Sequence, residues 1–431
     1  MPLIIILLFL SLTYLAFLNV GEMYTFYQTI DNIFIMFAIV IISVFTGLVI
    51  LRYLTLMFFS IFKVGLKTER ENVQKNFHTH LRVSIIVPGY NEEVVIGRSI
   101  VSLLQQTYPN MEVIVVDDGS KDQTYRVAKR YESERVKVVT KPNGGKSRAI
   151  NTGIEYATGD MVMVVDADSR LNDDAVALMV QYFDNPEIAA VAGSVYVVNQ
   201  VNAVTRLQAL EYIEGLNMVR NGQAFLKLVN IIPGPIGMFR TEALKKVGLY
   251  DHDTFAEDCD VTLKLLAEGY KIDFESDAVA YTEAPEHLLD LIKQRYRWTR
   301  GILQAIRKHK SYLFHTQGRP SMTVVLWYML FESIFWPFMD VWATIFLLYL
   351  TLITGVNSLI FFWWSLFTIL DLAGALYCVL ITKEKLSLVF YAILYRLYFI
   401  GIINLTKIFA TIEEWLGLGM SWGKLDRKGR I

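Results

Sequence analysis

Two apolar stretches before residue 62 and three after residue 322 bracket a middle of ordinary polarity, and this division constrains the chain more than any other feature. Residues 3–20 (LIIILLFLSLTYLAFLNV) carry no charge and, as a helix rising about 1.5 Å per residue, nearly span a hydrocarbon core of ~30 Å. Residues 33–51 (IFIMFAIVIISVFTGLVIL) form a second such run. The first lacks a basic leader and a small-x-small cleavage site, so a retained helix is expected rather than a signal peptide. Glu22 and Asp31 lie between the two runs, whereas Arg52, Lys63, Lys67 and Arg70 follow the second. Basic residues stay on the cytoplasmic side, which places both the N-terminus and the stretch from residue 63 there.

Later runs cover about 324–353, 358–381 and 387–410, the last two separated by Lys383-Glu384-Lys385. Three crossings would carry the C-terminus outside, yet the tail Gly423-Lys424-Leu425-Asp426-Arg427-Lys428-Gly429-Arg430 is basic. One run then has to lie in the interface or re-enter. Two stretches are open to this, one with Glu332, Pro337 and Asp340 and one with Arg396, because charge at bilayer depth is costly unless paired or in a cavity. The expected division is two helices in 1–62, a cytoplasmic domain in 63–285, interfacial helices in 286–321, membrane helices in 322–412 and a basic tail in 413–431. Hydrophobic residues are 54% of the chain and charged ones only 19%, against about a quarter for soluble domains. A formal charge of −1 with no basic stripe argues against nucleic acid. Cys259 and Cys378 are too far apart to frame a zinc site, and the six histidines are scattered.

From residue 82 short apolar runs alternate with helical stretches. Val83–Val87, Glu112–Val116, Val136–Val139 and Met161–Val165 read as buried strands, and residues 92–106, 121–133 and 147–157 as helices. Ser120-Lys121-Asp122-Gln123 has the form of a capping box. Such alternation predicts a mainly parallel sheet covered on both faces, with ligands beyond the carboxyl ends of its strands. A polar cluster follows each strand: Pro88-Gly89-Tyr90-Asn91-Glu92, Asp117-Asp118-Gly119-Ser120, Asn143-Gly144-Gly145-Lys146 and Asp166-Ala167-Asp168. Each alone is an ordinary turn signal. Their recurrence at one sheet edge points to a site.

Asp166 and Asp168 suit a hard divalent cation, Mg²⁺ or Mn²⁺, that shares its ligands with phosphates. The same residues suit a solvated turn before a helix cap near Asn172 and Asp173. Gly144-Gly145-Lys146 offers free backbone and a cation to phosphate, or is simply a loop before a helix; it lacks the spacing of an ATP-binding loop.

Together with Glu257-Asp258 and Gln294-Arg295-Tyr296-Arg297-Trp298, these clusters resemble the processive inverting family 2 glycosyltransferases, which make cellulose, chitin and hyaluronan. The resemblance runs from about residue 82 to 301. It implies an α/β GT-A-type glycosyltransferase domain, mainly parallel sheet, flanked by transmembrane helices. It also implies that Tyr90, Glu92, Asp117 and Asp118 hold the uridine side of a UDP-sugar. Lys146 would lie near the nucleotide, and Asp166 and Asp168 would serve a metal–diphosphate. Asp258, beside Glu257, matches the general base that deprotonates the acceptor. Like charges at Glu257 and Asp260 should raise its pKa; alternatively the pair caps a helix at 259–268. Ala256 stands where many relatives have Thr.

Gln294, Arg297 and Trp298 share one helical face, where the resemblance implies diphosphate neutralisation and a flat surface for a sugar. An interfacial amphipathic helix fits the same residues. Pro233-Gly234-Pro235-Ile236-Gly237 is similar to the family's acceptor-contacting segment. The implied partners are UDP-N-acetylglucosamine, a growing polysaccharide, the bilayer and a small accessory membrane subunit. Trp336, Trp342, Trp363 and Trp364 suit sugar stacking along an export path or aromatic belts at the bilayer surface. Two rivals stay open, a transferase acting on a polyprenyl phosphate and a transporter or signalling protein with a degenerate nucleotide domain.

Overall fold

In the computed structural model, residues 2–73, 80–316, 318–419 and 429 are described. Helices α1 (Pro2–Thr29) and α2 (Ile33–Val73) precede the alternating region. That region runs β1 (Val83–Gly89), α3 (Ile96–Leu104), β2 (Met111–Asp117), α4 (Thr124–Lys129), β3 (Val136–Thr140), α5 (Lys146–Tyr156) and β4 (Met161–Val164). The short β5 (Ser169–Leu171), α6 (Ala175–Val180), β6 (Ile188–Val197), α7 (Ala203–Ile213) and α8 (Val219–Phe225) come next. The domain closes with β7 (Gly237–Arg240), α9 (Thr241–Lys246), α10 (Glu257–Ala267), β8 (Lys271–Thr282) and α11 (Leu288–Lys308).

Among the described residues the strands form one eight-stranded sheet ordered β3-β2-β1-β4-β7-β6-β8-β5. Strands β1 to β4 pair in parallel, β7 runs antiparallel to β4 and β6, β6 and β8 are parallel, and β5 is antiparallel to β8. Alternate residues serve opposite faces. Val83, Ile85 and Val87 join Met161, Met163 and Val165 in one apolar cluster, while Ile86, Val162 and Val164 join Ile150 in another. Burial on both faces explains why these strands read as unbroken apolar runs. The strand order reverses between β1 and β4, and the polar clusters gather beyond the carboxyl ends there.

The remaining helices are α12 (Ser311–Phe314), α13 (Pro320–Leu330), α14 (Trp336–Thr354), α15 (Ser358–Thr382), α16 (Tyr391–Leu394) and α17 (Ile400–Trp415). Among the described residues, four helical stretches are long and apolar enough to cross a membrane: Ile33–Leu66, Pro320–Thr354, Ser358–Thr382 and Leu386–Trp415. The second apolar run therefore does not stop at Leu51. Arg52 lies inside a longer helix and is ion-paired with Glu332, with Tyr328 accepting from its Nη2 at 2.8 Å. This pairing is what lets a cation sit in that helix, and Arg52 drops out of the argument for orientation. Arg396 is paired in the same way. Arg396 lies 2.7 Å from Asp371 and 3.8 Å from Asp340, and Asn404 donates to Asp340 at 2.9 Å. The basic residues Lys424, Arg427, Lys428 and Arg430 lie outside the described residues.

The domain is fixed to α2 by a buried charge cluster. Asp273 on β8 is fully buried, takes Lys63 of α2 at 2.5 Å and is also ion-paired with Lys227. A further correction concerns α4. The expected capping box does not form, because Ser120 Oγ accepts from the Asn91 amide and Asp122 Oδ1 accepts from Thr124. Both side chains serve the turn that holds β1's exit loop instead.

Candidate active site

The loop after β1 is held by its neighbour after β2. Asn91 takes φ 56°, a left-handed backbone that Asn tolerates, and its Oδ1 accepts from the Lys121 amide at 2.7 Å. The Glu92 amide donates to Thr124 Oγ1 at 2.7 Å. This leaves Tyr90 exposed at the mouth of the sheet edge. At the end of β2, Asp117 is buried and accepts from Thr140 Oγ1 (2.8 Å) and the Ser120 amide (3.3 Å). Asp118 is committed within the protein. Its carboxylate accepts from Gly144 and Gly145 amides (3.0 and 2.8 Å), from Asn143 Nδ2 and from Lys141 Nζ at 2.6 Å. Asp118 therefore shapes the Asn143–Gly145 loop and delivers Lys146 at the start of α5.

Lys146 Nζ bridges two carboxylates, Asp166 Oδ1 at 2.6 Å and Glu257 Oε1 at 3.1 Å. Burial works to lower its pKa, but Asp166, Glu257 and Asp258 outweigh it and hold the ammonium well above its ordinary range. Residues Lys146, Glu257 and Asp258 line one pocket with Gly234, Tyr250 and Ile232. The 233–237 loop closes on this group tightly enough that a Cβ at Gly234 would lie 2.7 Å from Lys146 Nζ and 2.9 Å from Asp166 Oδ2. The structure thus joins Lys146, Asp166, Glu257 and Asp258 from three separate chain segments.

Asp258 sits in the first turn of α10, whose N-cap is Ala256. The helix begins two residues earlier than 259, so Glu257 and Asp258 belong to it rather than capping it, and Asp258 Oδ1 accepts from the adjacent Cys259 amide at 2.8 Å. Burial first, then the Glu257 charge, push the Asp258 carboxyl up to about 6, while Lys146 pulls the other way. Asp260 plays no part in this, because two residues along a helix is about 200°. Its carboxylate faces elsewhere, taken by Lys308 Nζ at 2.9 Å and His309 at 3.0 Å. The acidic group Asp251, Asp253 and Asp260 is oriented around that same Lys308 ammonium, which already supplies its cation.

For a divalent ion the donor set at the sheet edge is the better fit. Asp166 is partly exposed beside the pocket and its carboxylate is shared with a lysine, while Asp168 is buried one turn on, accepting from Ser169 Oγ at 3.3 Å. Two carboxylates at the head of an apolar strand suit hard Mg²⁺ or Mn²⁺.

Helix α11 is docked directly behind Asp258. A Cβ at Gly301 would lie 2.6 Å from the Ala256 nitrogen, and Gln304 Oε1 accepts from the Phe255 amide at 3.0 Å. Gln294 and Arg297 therefore ride on a helix seated against the Glu257–Asp258 turn. Gln294 is buried and accepts from Arg295 at 3.1 Å. Trp298 is partly exposed, with the Arg295 guanidinium 4.1 Å from its ring and Tyr212 at 6.4 Å. Arg295, not singled out in the sequence, organises this group through its 2.5 Å ion pair with Glu211 on α7. Its place between two motif residues was the available signal.

Residues 84–248 match the family described as Glycosyl transferase family 2. The chain is 34% identical over 224 residues to poly-beta-1,6-N-acetyl-D-glucosamine synthase of Staphylococcus epidermidis, covering 51% of this chain and 54% of that protein. It is 31% identical over 271 residues to the enzyme of the same name from Staphylococcus aureus (strain COL), covering 62% and 64%. The match thus spans between about half and two thirds of these relatives' own length. In fold the chain is similar to the mannosyltransferase PcManGT from Pyrobaculum calidifontis, solved in complex with GDP-Man and Mn²⁺. The TM-score is 0.56 at 20% identity, over 84% of this chain and 99% of that one. The soluble region has the GT-A fold.

Proposed function

From a chain that carries a family 2 glycosyltransferase domain, we propose a processive, inverting transferase that polymerises N-acetylglucosamine from UDP-N-acetylglucosamine on the cytoplasmic face of a membrane and passes the polymer outward. The observation that carries this reading is Asp258, a carboxylate held near pKa 6 in a pocket with Lys146 and Glu257, the lysine being ion-paired with Asp166 beside it. A base poised near the working pH is what acceptor activation needs.

Asp258 takes the proton of the acceptor hydroxyl as its oxygen bonds to the anomeric carbon. The bond from that carbon to the diphosphate oxygen breaks, UDP departs, and the proton stays on Asp258. Inversion gives a β linkage. Lys146 and Arg297 supply positive charge where the diphosphate becomes more anionic, and preorganised charge of this kind is a large part of catalysis. Asp166 and Asp168 are the residues that would hold Mg²⁺ or Mn²⁺, which when bound screens the diphosphate and favours its departure. Tyr90, Glu92 and Asp117 surround the place of the nucleotide, and Asp118 shapes the loop beneath it. Glu257 holds Lys146 and raises Asp258.

Polymerisation is supported by the Gln294–Trp298 helix seated against the Asp258 turn and by the relatives' names. Orientation is supported by Lys67 and Arg70 following the apolar stretch Ile33–Leu66, and an accessory membrane subunit fits the same reading. The test is incubation of the membrane-embedded chain with labelled UDP-N-acetylglucosamine and Mn²⁺. The proposal expects a β-linked polymer, and Asp258→Asn expects UDP binding without transfer. A lipid-linked monosaccharide as sole product would sink polymerisation.

A further inference from the structure

Helix α8 holds a buried cation that the mechanism above does not use. Arg220 is 6% exposed, and its Nη1 has no hydrogen-bond partner among the described residues. A buried guanidinium is costly unless paired, and an unmet donor of this kind in a folded protein asks for an explanation. No ion pair among the described residues supplies one. Burial lowers its pKa to about 10, with Asp258 as the charge acting against that.

The helix geometry fixes which way Arg220 faces. Gly222 packs on the membrane helix α2, where a Cβ would lie 2.7 Å from the Leu56 carbonyl oxygen. Two residues along a helix is about 200°, so Arg220 lies on the opposite side. Asn217 and Ala224, three before and four after Arg220, share its face. Asn217 Oδ1 accepts from Ser194 Oγ of β6 at 2.7 Å, and Ala224 packs in the cluster containing Ile150, Val164 and Ile232. Those three apolar residues also line the Asp258 pocket. One turn along, Gln223 is buried with its Oε1 unpartnered as well.

We infer that Arg220, with Gln223 beside it, is an acceptor-binding residue: it grips the terminal sugar of the acceptor by an oxygen, hydroxyl or amide carbonyl, and presents its hydroxyl to Asp258. A sugar offers donors and acceptors together, which an arginine and a glutamine side by side can both meet. A diphosphate at this place would instead face the carboxylates of Asp258 and Glu257. The inference rests on the transferase reading given above.

The experiment uses the full chain in lipid nanodiscs, with Arg220→Met, Arg220→Lys and Gln223→Ala. Three quantities are read: affinity for UDP with Mn²⁺, release of UDP by transfer to water, and transfer to a β-linked N-acetylglucosamine oligomer of varied concentration. Arg220→Met should raise the oligomer KM at least about tenfold, with UDP affinity within about twofold and transfer to water retained. Arg220→Lys should recover part of the loss, and Gln223→Ala should show a smaller rise in the same KM. Retained UDP affinity also certifies the fold. If Arg220→Met does not fold, the Lys and Gln223→Ala variants carry the test, and an unmoved oligomer KM in both overturns the inference. An unmoved oligomer KM in Arg220→Met overturns it too, as does a UDP affinity that falls in step with transfer. No saccharide transfer by the unaltered chain would overturn the underlying function as well, and so separates the two failures.

Discussion

Lowering the pH should switch off transfer well above the range where an ordinary aspartate titrates. Asp258 is pushed up to about 6 by burial and by Glu257, from 3.8 for an unperturbed aspartate. That difference corresponds to about 3 kcal/mol of preference for the protonated form. The base must be ionised to accept the acceptor's proton, so the rate should fall as pH drops through about 6. At pH 5 only about a tenth of the sites are ionised, giving a rate roughly tenfold below the plateau, whereas an ordinary aspartate would lose almost nothing there. Stability moves in the opposite sense. A carboxyl whose folded pKa is raised destabilises the fold when ionised; this cost is fully present above about pH 6 and disappears as pH falls below the unfolded value near 4. Asp258→Asn should therefore melt higher than the parent at pH 7.5 while transfer falls by about two to four orders of magnitude. The assay is initial rate against pH at saturating donor and acceptor, with Glu257→Gln in parallel. Loss of the neighbouring charge should move the acid limb down, though only in part, because burial is the larger cause. An acid limb below pH 4.5, or one unmoved in Glu257→Gln, would refute the electrostatic reasoning.

Other perturbations follow from single contacts. Gly301→Ala would press a methyl into the Ala256 backbone nitrogen, 2.6 Å away, so transfer should fall more than tenfold while UDP binding persists, as calorimetry would read. Asp118→Ala removes the acceptor that gathers the Gly144 and Gly145 amides; the donor KM should rise about tenfold with a smaller change in kcat. Asp273→Asn leaves Lys63 and Lys227 buried without their counter-charge and should cost about 3–5 kcal/mol, seen as a lower melting temperature in detergent.

Much of this was legible in the chain, because β1, β2 and β4 are covered on both faces and so had to be mainly apolar runs. The polar clusters at the strand exits mark Asp117, Lys146 and Asp166 as sharing one edge. The helix start at Glu257 was misjudged by two residues, since carboxylates favour both the cap and the first turn of a helix. Asp260 differs for a rotational reason: only two residues from Asp258 in sequence, it faces Lys308 from the other side of α10. Arg52 resembled a flanking charge because its partner, Glu332, is 280 residues away. Arg220 left no trace of its own. Helix 203–225 mixes polar and apolar residues on every side, since the sheet, α2 and α15 together enclose it, so no single apolar stripe marks its buried face.

Polymerisation at this site is tested most directly by the length of the product made by the membrane-embedded chain from UDP-N-acetylglucosamine, Mn²⁺ and a short oligomer, followed through a time course at limiting enzyme. The account predicts long β-linked chains appearing early beside unextended oligomer, and none from Asp258→Asn. A single sugar added to each acceptor, or to a lipid carrier, would contradict it.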